Sequence, residues 1–355
     1  MAYTTIDDSS AHFQTLLYTG NGGSQTMTND GNSDLQPDFL WIKQRSGTEN
    51  HYLGNSSIAN KFLNSDRTDT ESTNISGKEL TYNSDGFAFA GSDSTWNGSS
   101  STYVAWQWKA NGGSTTTNDA SATGVGTIDS VYQANTTARF SIVTYSGSGS
   151  AGTIAHGLGV TPNWVIIKNR GSSARGWIVY HDKSHGTPEE NFTLLNTNAA
   201  VADLDRMNDT APTSTVFSVS DDTHVNNGSD TYVAYCFANV QGYSKFGSYA
   251  GNNSTNGPFV YTGFTPAWVM IKRTDGGTNN WPIWDYQRGG YNGARAELYA
   301  NLTNAEATDS AIDILSNGFK LRNASTEWNN GTNYIYMAFA EHPFVTSKGV
   351  PTTAR

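Results

Sequence analysis

The sequence predicts an all-β fold of three tandem antiparallel β-sandwich modules, and three observations carry that prediction. Short stretches rich in Val, Ile, Phe, Tyr and Trp alternate with runs of Ser, Thr and Asn and with 36 glycines, and only 15% of residues are charged. β-Branched and aromatic side chains suit a pleated surface, while Gly and Asn supply turns with positive φ. A motif of Pro, any residue, an aromatic, apolar residues and a terminal Ile-Lys occurs three times, and its flanking landmarks recur in the same order. Helix signals are confined to segments such as Asn304–Leu315, enough for a turn or two. A chain of 355 residues exceeds one ordinary core, which by itself points to two or three domains of roughly 100–150 residues.

The repeated motif reads Pro37-Asp-Phe-Leu-Trp-Ile-Lys43, Pro162-Asn-Trp-Val-Ile-Ile-Lys168 and Pro266-Ala-Trp-Val-Met-Ile-Lys272. Tyr18, Tyr145 and Tyr249, each followed by a small residue and Gly, lie 19, 17 and 17 residues before these prolines. Downstream come the aromatic strand starts Phe87, Phe217 and Phe319. The closing apolar strands begin at Tyr103, Tyr232 and Tyr334, which lie 66, 70 and 68 residues after the prolines. Self-similarity at a fixed period marks a repeat architecture. Period-two alternation puts Trp164, Ile166 and Lys168 on one strand face and Val165 and Ile167 on the other, so both faces are largely apolar. Such a strand belongs in the middle of a sandwich with its outer face covered too, whether by a neighbouring module, a partner chain or a loop folded over the sheet.

Boundaries follow from the repeat. Residues 1–12 form an N-terminal arm, 13–110 module one, 136–240 module two, 241–344 module three and 345–355 a C-terminal tail. The Gly/Ser/Thr/Asn-rich stretch 111–135 reads as a flexible linker, within which Val125–Tyr132 has the pattern of an extra strand. Modules two and three follow with almost no linker and are expected to be rigidly apposed.

The net charge is −10 with scattered Lys and Arg, whereas nucleic-acid binding needs a clustered basic face. No apolar run approaches the roughly 18–20 residues that cross a bilayer, and Met1-Ala-Tyr-Thr-Thr-Ile6 lacks the pattern of a signal peptide. These features lead us to expect no nucleic acid, no membrane insertion and synthesis in a bacterial cytoplasm. The single cysteine, Cys236, lies in the apolar strand Tyr232–Phe237 and reads as a small buried hydrophobe.

The seven histidines do not correspond between modules, and no nucleophile elbow or phosphate-binding glycine loop is present. His181 and His185 are four apart but sit in a loop, and His156 lies in a turn, Ala155-His-Gly-Leu-Gly159. Asp66–Glu71 and Asp221-Asp222 carry carboxylates suited to Ca²⁺ without a defined calcium-loop spacing. The expectation is therefore a non-enzyme with no cofactor and no metal, although carboxylates paired only in space for glycan cleavage leave no sequence motif. One feature points to binding. Polar turns before the closing strands carry Trp96 and Asn97, Asn226, and Trp328 and Asn329. An exposed indole face beside amides is how proteins hold a sugar. An Asn-Gly hairpin turn with a capping Trp explains the same residues structurally.

With these residues in view, the sequence resembles a repeat-domain family of virion proteins from marine and other tailed bacteriophages, often described as tail fibre. The resemblance covers nearly the whole chain and is most specific in His156–Pro162, Gly257–Lys272 and Tyr334–Phe344. Module one departs through the insertion Asn29–Asp34, and module two has Thr215-Val-Phe217 where an Asp/Asn-Gly-Phe turn is usual. The resemblance implies lectin-like, jelly-roll sandwiches and brings no catalytic residues. It also implies a place in the virion among other virion proteins, and by analogy with phage appendages a homo-oligomer, a trimer. Three functions stay open: a tail-associated fibre or adhesin contacting host surface glycans, a capsid decoration protein, and a glycan-cleaving enzyme.

Overall fold

Strands that are apolar on both faces need cover on both sides, and this chain supplies it from two sources. The computed structural model describes residues 2–351 except 74, 75, 173 and 293, with the backbone alone at 294, 295 and 310. Met1 of the expected arm and residues 352–355 of the expected tail lie outside the described residues. The fold is all-β, with antiparallel sheets and only a few one-turn helices.

One strand order occurs three times. In the first copy an opening strand (Phe13–Thr19) pairs with the closing strand (Thr102–Trp108) and that with the proline strand (Phe39–Gln44). The hairpin partner Tyr52–Asn55 follows, then Lys61–Leu63 and Ser72–Thr73. The second copy runs Phe140–Ser146, Thr231–Phe237, Trp164–Asn169, Ile178–His181, Asn191–Leu194, Ala202–Asp203. The third runs Ser244–Ala250, Asn333–Pro343, Phe264–Arg273, Pro282–Asp285, Ala294–Tyr299, Ala307–Leu315. The closing strand, last in each copy, thus inserts between the first two landmarks, which is why opening and closing tyrosines sit in register: Tyr18 with Tyr103, Tyr145 with Tyr232, Tyr249 with Tyr334.

One face of each proline strand packs on the later aromatic strand of its own copy, which lies in a separate small sheet in copies one and two and continues the same sheet in copy three. Leu40 and Ile42 do so with Phe87 and Phe89, Val165 and Ile167 with Phe217 and Val219, and Val269 and Ile271 with Phe319 and Leu321. The opposite faces meet in a single shared core. It joins Phe39, Trp41, Trp106 and Trp108 to Trp164, Ile166, Tyr235 and Phe237 and to Trp268, Met270, Met337 and Phe339. Ring contacts link every pair of copies: Phe39–Tyr235 at 4.3 Å, Phe237–Phe339 at 5.9 Å and Trp108–Trp268 at 5.7 Å between centroids. Each such buried aromatic contributes roughly 1.5–3 kcal/mol by area and a further 0.5–1.5 from pair geometry. Neighbouring copies therefore cover the outer faces, and the apposition expected of copies two and three extends to all three.

The stretch 111–135 carries two strands, Thr116–Asn118 and Ser130–Asn135, which extend the second sheet beyond Phe140–Ser146. The first five residues of Val125–Tyr132, expected as strand, lie outside these strands; Ile128 makes a single bridge to Ile154. Asn135 ties the segment back to copy one through Lys109 O at 3.1 Å, and Gln133 does so through Ser56 and Ser57. Polar composition here serves a sheet edge with paired amides rather than a free linker.

Candidate functional site

The turns carrying the sugar-site candidates are built by one repeated device. The opening and closing tyrosines of each copy stack, with centroids 5.1, 4.9 and 5.1 Å apart. The opening tyrosine hydroxyl donates to a turn carbonyl: Tyr18 to Trp96 O (2.6 Å), Tyr145 to Val225 O (2.7 Å) and Tyr249 to Trp328 O (2.6 Å). The closing tyrosine hydroxyl accepts from the backbone N–H of Gly98, Asn227 or Asn330. At the centre stands an asparagine, fully buried in each copy: Asn97, Asn226 and Asn329. Each Oδ1 accepts a backbone N–H from the loop after the opening strand, at Asn21 (3.0 Å), Ser148 (2.7 Å) and Asn252 (2.7 Å). Each Nδ2 donates to carbonyls on two loops: Gly23 and Gly91, Ser150 and Ser220, Ser254 and Asn323. A buried amide with every partner satisfied fixes loop geometry.

This corrects the sugar reading of these five residues. Trp96 and Trp328 are 3% and 2% exposed. Trp96 packs against Tyr52, Phe62 and Phe89, and Trp328 stands edge-on to Trp284. Neither offers a ring face to a pyranose, and the three asparagines have no amide left for a ligand. An amide present in all three copies just before the closing tyrosine was the sequence signal for a structural clasp.

Contacts between the copies form a closed cycle that sequence reading missed. Trp177 Nε1 donates to Asn64 O in copy one (2.9 Å), and Trp281 Nε1 donates to Leu194 O in copy two (3.0 Å). The ring is completed by His51, whose Nε2 lies 2.9 Å from Tyr299 O in copy three. The lysines ending the repeated motif are fully buried. Lys168 reaches Thr68 O and Lys272 reaches Asn198 O across the next junction at 3.1 Å each, whereas Lys43 bonds carbonyls of its own hairpin. Burial lowers all three to about 8. Between copies one and three, the Trp106 indole donates to Asp285 at 2.9 Å, and Asp285 pairs with the fully buried Arg288 at 2.6 Å. Glu306 bridges Arg288 and a bidentate Arg45. Burial alone would raise the Glu306 carboxyl, but its bonds to Arg45 and the charge of Arg288 bring it below the usual range.

Several groups singled out for catalytic or metal-binding chemistry make structural contacts. Burial pushes the Cys236 thiol up to about 12, so it is un-ionised at neutral pH. His156 accepts from Leu158 N and meets Thr213 O, which holds its turn, and burial lowers it to about 4. His181 is buried and likewise lowered to about 4, while His185 is engaged by Asn191. In the two acidic stretches considered for Ca²⁺, Asp69 pairs with Arg67, Glu71 with Lys61 and Arg170, and Asp222 with Arg206. No group of three His, Cys, Asp or Glu able to hold a metal occurs among the described residues.

A cleft of about 590 Å³ runs over copy two beside Ile128, Tyr145 and Arg170, and two further clefts open among the described residues. One, of about 270 Å³, lies where copies one and three meet, with Asp8, Asp30 and Glu341 around Phe13, Thr15 and Tyr286. The other, of about 450 Å³, opens in copy one beside Trp96 and Phe62 and is rimmed by Asn64, Arg67, Asp69, Asp93 and Thr95.

No curated protein matches the chain. The family model described as Domain of unknown function (DUF7483) matches residues 8–343, spanning all three copies as one unit. The chain therefore belongs to the DUF7483 family.

Proposed function

We propose that this protein is a non-enzymatic structural component of a tailed-phage particle, a tail-associated fibre or adhesin subunit that contacts host surface glycans. In this reading each copy is a lectin-like, jelly-roll β-sandwich, assembled with other virion proteins in the host cytoplasm. The observation that carries it is the division of labour among residues. The clasp recurs in every copy and the copies share one core, while the stretches 67–73, 199–215 and 286–291 differ in sequence and chemistry. A repeated frame whose connections differ from copy to copy suits recognition, because binding residues concentrate on loops held by a rigid scaffold. By analogy with phage appendages, the subunit would assemble as a homotrimer.

Capsid decoration drew its support from apolar strand faces needing a neighbouring subunit, and the shared core uses those faces inside the chain. Immunogold labelling of purified particles tests the assignment. Label at the tail is expected, and label on the head shell, or none on any particle, would overturn it. Release of reducing ends from host polysaccharide by the purified protein would defeat the non-enzymatic part.

A further inference from the structure

Two strands of the third copy turn an aromatic face to solvent. Phe259–Tyr261 is the end strand of that copy's sheet and pairs with Gly318–Leu321, with Val260 opposite Phe319. Val260 and Phe319 are buried, so alternation turns Phe259 and Tyr261 outward, at 44% and 47% exposure. Cross-strand partners share a face, which places Lys320 beside Phe259. The pairs equivalent to Val260 and Phe319 are Met27 and Phe87 in copy one and Ile154 and Phe217 in copy two. The flanking positions there hold Thr26 and Thr28, and Thr153 and Ala155, while Lys320 is matched by Ala88 and Ser218. Copy three thus carries two aromatics and a cation where the other copies carry small side chains.

The cations around these rings are positioned by neutral groups. Lys245 Nζ stands 5.2 Å from the Tyr261 ring centre and donates to Tyr261 O at 3.0 Å, and Lys320 Nζ donates to Gly257 O at 2.7 Å. Arg322 extends the face and is paired with Asp313 at 3.2 Å. In a chain of net charge −10 this is an apolar surface flanked by positive charge. Its complement stands on copy two. Leu204, 53% exposed, lies between Asp203 and Asp205. Desolvation and then the charges of Asp205, Glu190, Asp203 and Glu189 raise the Asp209 carboxyl, so these carboxylates crowd one patch. Arg206, within the same stretch, is turned to Asp222 and the Phe192 ring. Apart from Val350, the large apolar side chains left exposed among the described residues are Leu204, Phe259 and Tyr261.

We propose that this chain self-associates head to tail: the copy-three face of one molecule receives the copy-two patch of the next, with Leu204 on Phe259 and Tyr261 and the carboxylates toward Lys245 and Lys320. Both patches are exposed within the single molecule, so they meet only between molecules. A second copy of the chain is the occupant because it brings both requirements together, an apolar side chain and negative charge on either side of it. The two patches differ, so the contact is heterologous and closes as a ring or runs on as a filament. A three-membered ring is the form that fits the homotrimer. This rests on the homo-oligomeric part of the function proposed above and supplies its interface.

The test is sedimentation velocity of the full chain over a concentration series reaching about 0.5 mM, at low and at high salt. The parent is expected to associate at low salt and to bind itself at least tenfold more weakly at high salt. Three variants alter surface side chains: Lys245→Glu with Lys320→Glu, Asp203→Lys with Asp205→Lys, and Leu204→Ser. Each is expected to weaken association at least tenfold while thermal unfolding stays within a few degrees of the parent. Mixing the two charge variants is expected to restore association, because each retains the patch that the other has lost, and a merely destabilised fold would not be rescued in this way. If all three variants associate as tightly as the parent, or if the charge variants do not rescue one another, this interface is wrong and the homo-oligomer stands. If the parent stays monomeric throughout, the interface and the homo-oligomer fall together.

Discussion

Lowering the pH from 8 to 5 should destabilise this protein through histidines that the fold keeps neutral. His51, His156 and His181 are fully buried, and burial lowers them from 6.5 to about 3, 4 and 4. Below pH 6.5 the unfolded chain takes up a proton at each of these positions and the folded chain does not. Stability is therefore complete above pH 6.5 and is lost as the pH falls toward the folded values. Integrating that difference down to pH 5 gives about 2 kcal/mol for each histidine, about 6 for the three, against a total stability on the order of 5–15 kcal/mol. Asp66 and Glu297, raised by burial, act in the opposite sense, so comparing a variant with its parent is more decisive than the absolute slope. His181→Asn is the suitable variant, because Asn55 occupies the matching end of the first hairpin strand. Urea unfolding at half-unit steps should show the parent losing about 2 kcal/mol more than His181→Asn between pH 8 and 5. Parallel stability curves would refute the claim that His181 is held neutral by burial.

Three further outcomes follow from the contacts. Arg288→Met leaves Asp285 buried without its cation and should cost about 3–5 kcal/mol in denaturant unfolding; a loss under 1 would mean that the network between copies one and three carries little. Trp328→Phe removes a satisfied indole bond and Trp96→Phe an unsatisfied one, so the former should lose about 1 kcal/mol more than the latter by thermal melting. Residues 136–240 expressed alone would expose Trp164, Tyr235 and Phe237 to water; they should bind hydrophobic dyes and lack a cooperative melt, and a sharp transition would show that the copy does not depend on the shared core.

Much of the fold was legible because it rests on period and order. The alternation in Trp164–Lys168 fixed which side chains share a face, and the landmarks set which strands are equivalent. What covered the outer face was not legible, since a neighbour, a partner and a loop demand the same apolar residues. The cycle through Trp177, Trp281 and His51 was hidden for a different reason. Its acceptors are backbone carbonyls, which any residue supplies, and copy one performs with an imidazole what the others perform with an indole. The clasp was misread because Trp beside Asn-Gly looks alike whether the ring caps a core or faces solvent. Asparagine at the same place in every copy was the informative residue, and tryptophan in two of three was not.

Placing all three repeats on one polypeptide has a consequence for valency. A homotrimer must carry any surface substitution three times, so a change that improves one loop is paid for at two other locations. Here the Trp96 indole goes unmet among the described residues in the first repeat while Asn323 receives its counterpart in the third, and the two solutions coexist in every molecule. Under the adhesin proposal, avidity for a repetitive host surface would come from the number of molecules displayed and their spacing, not from the symmetry within each one.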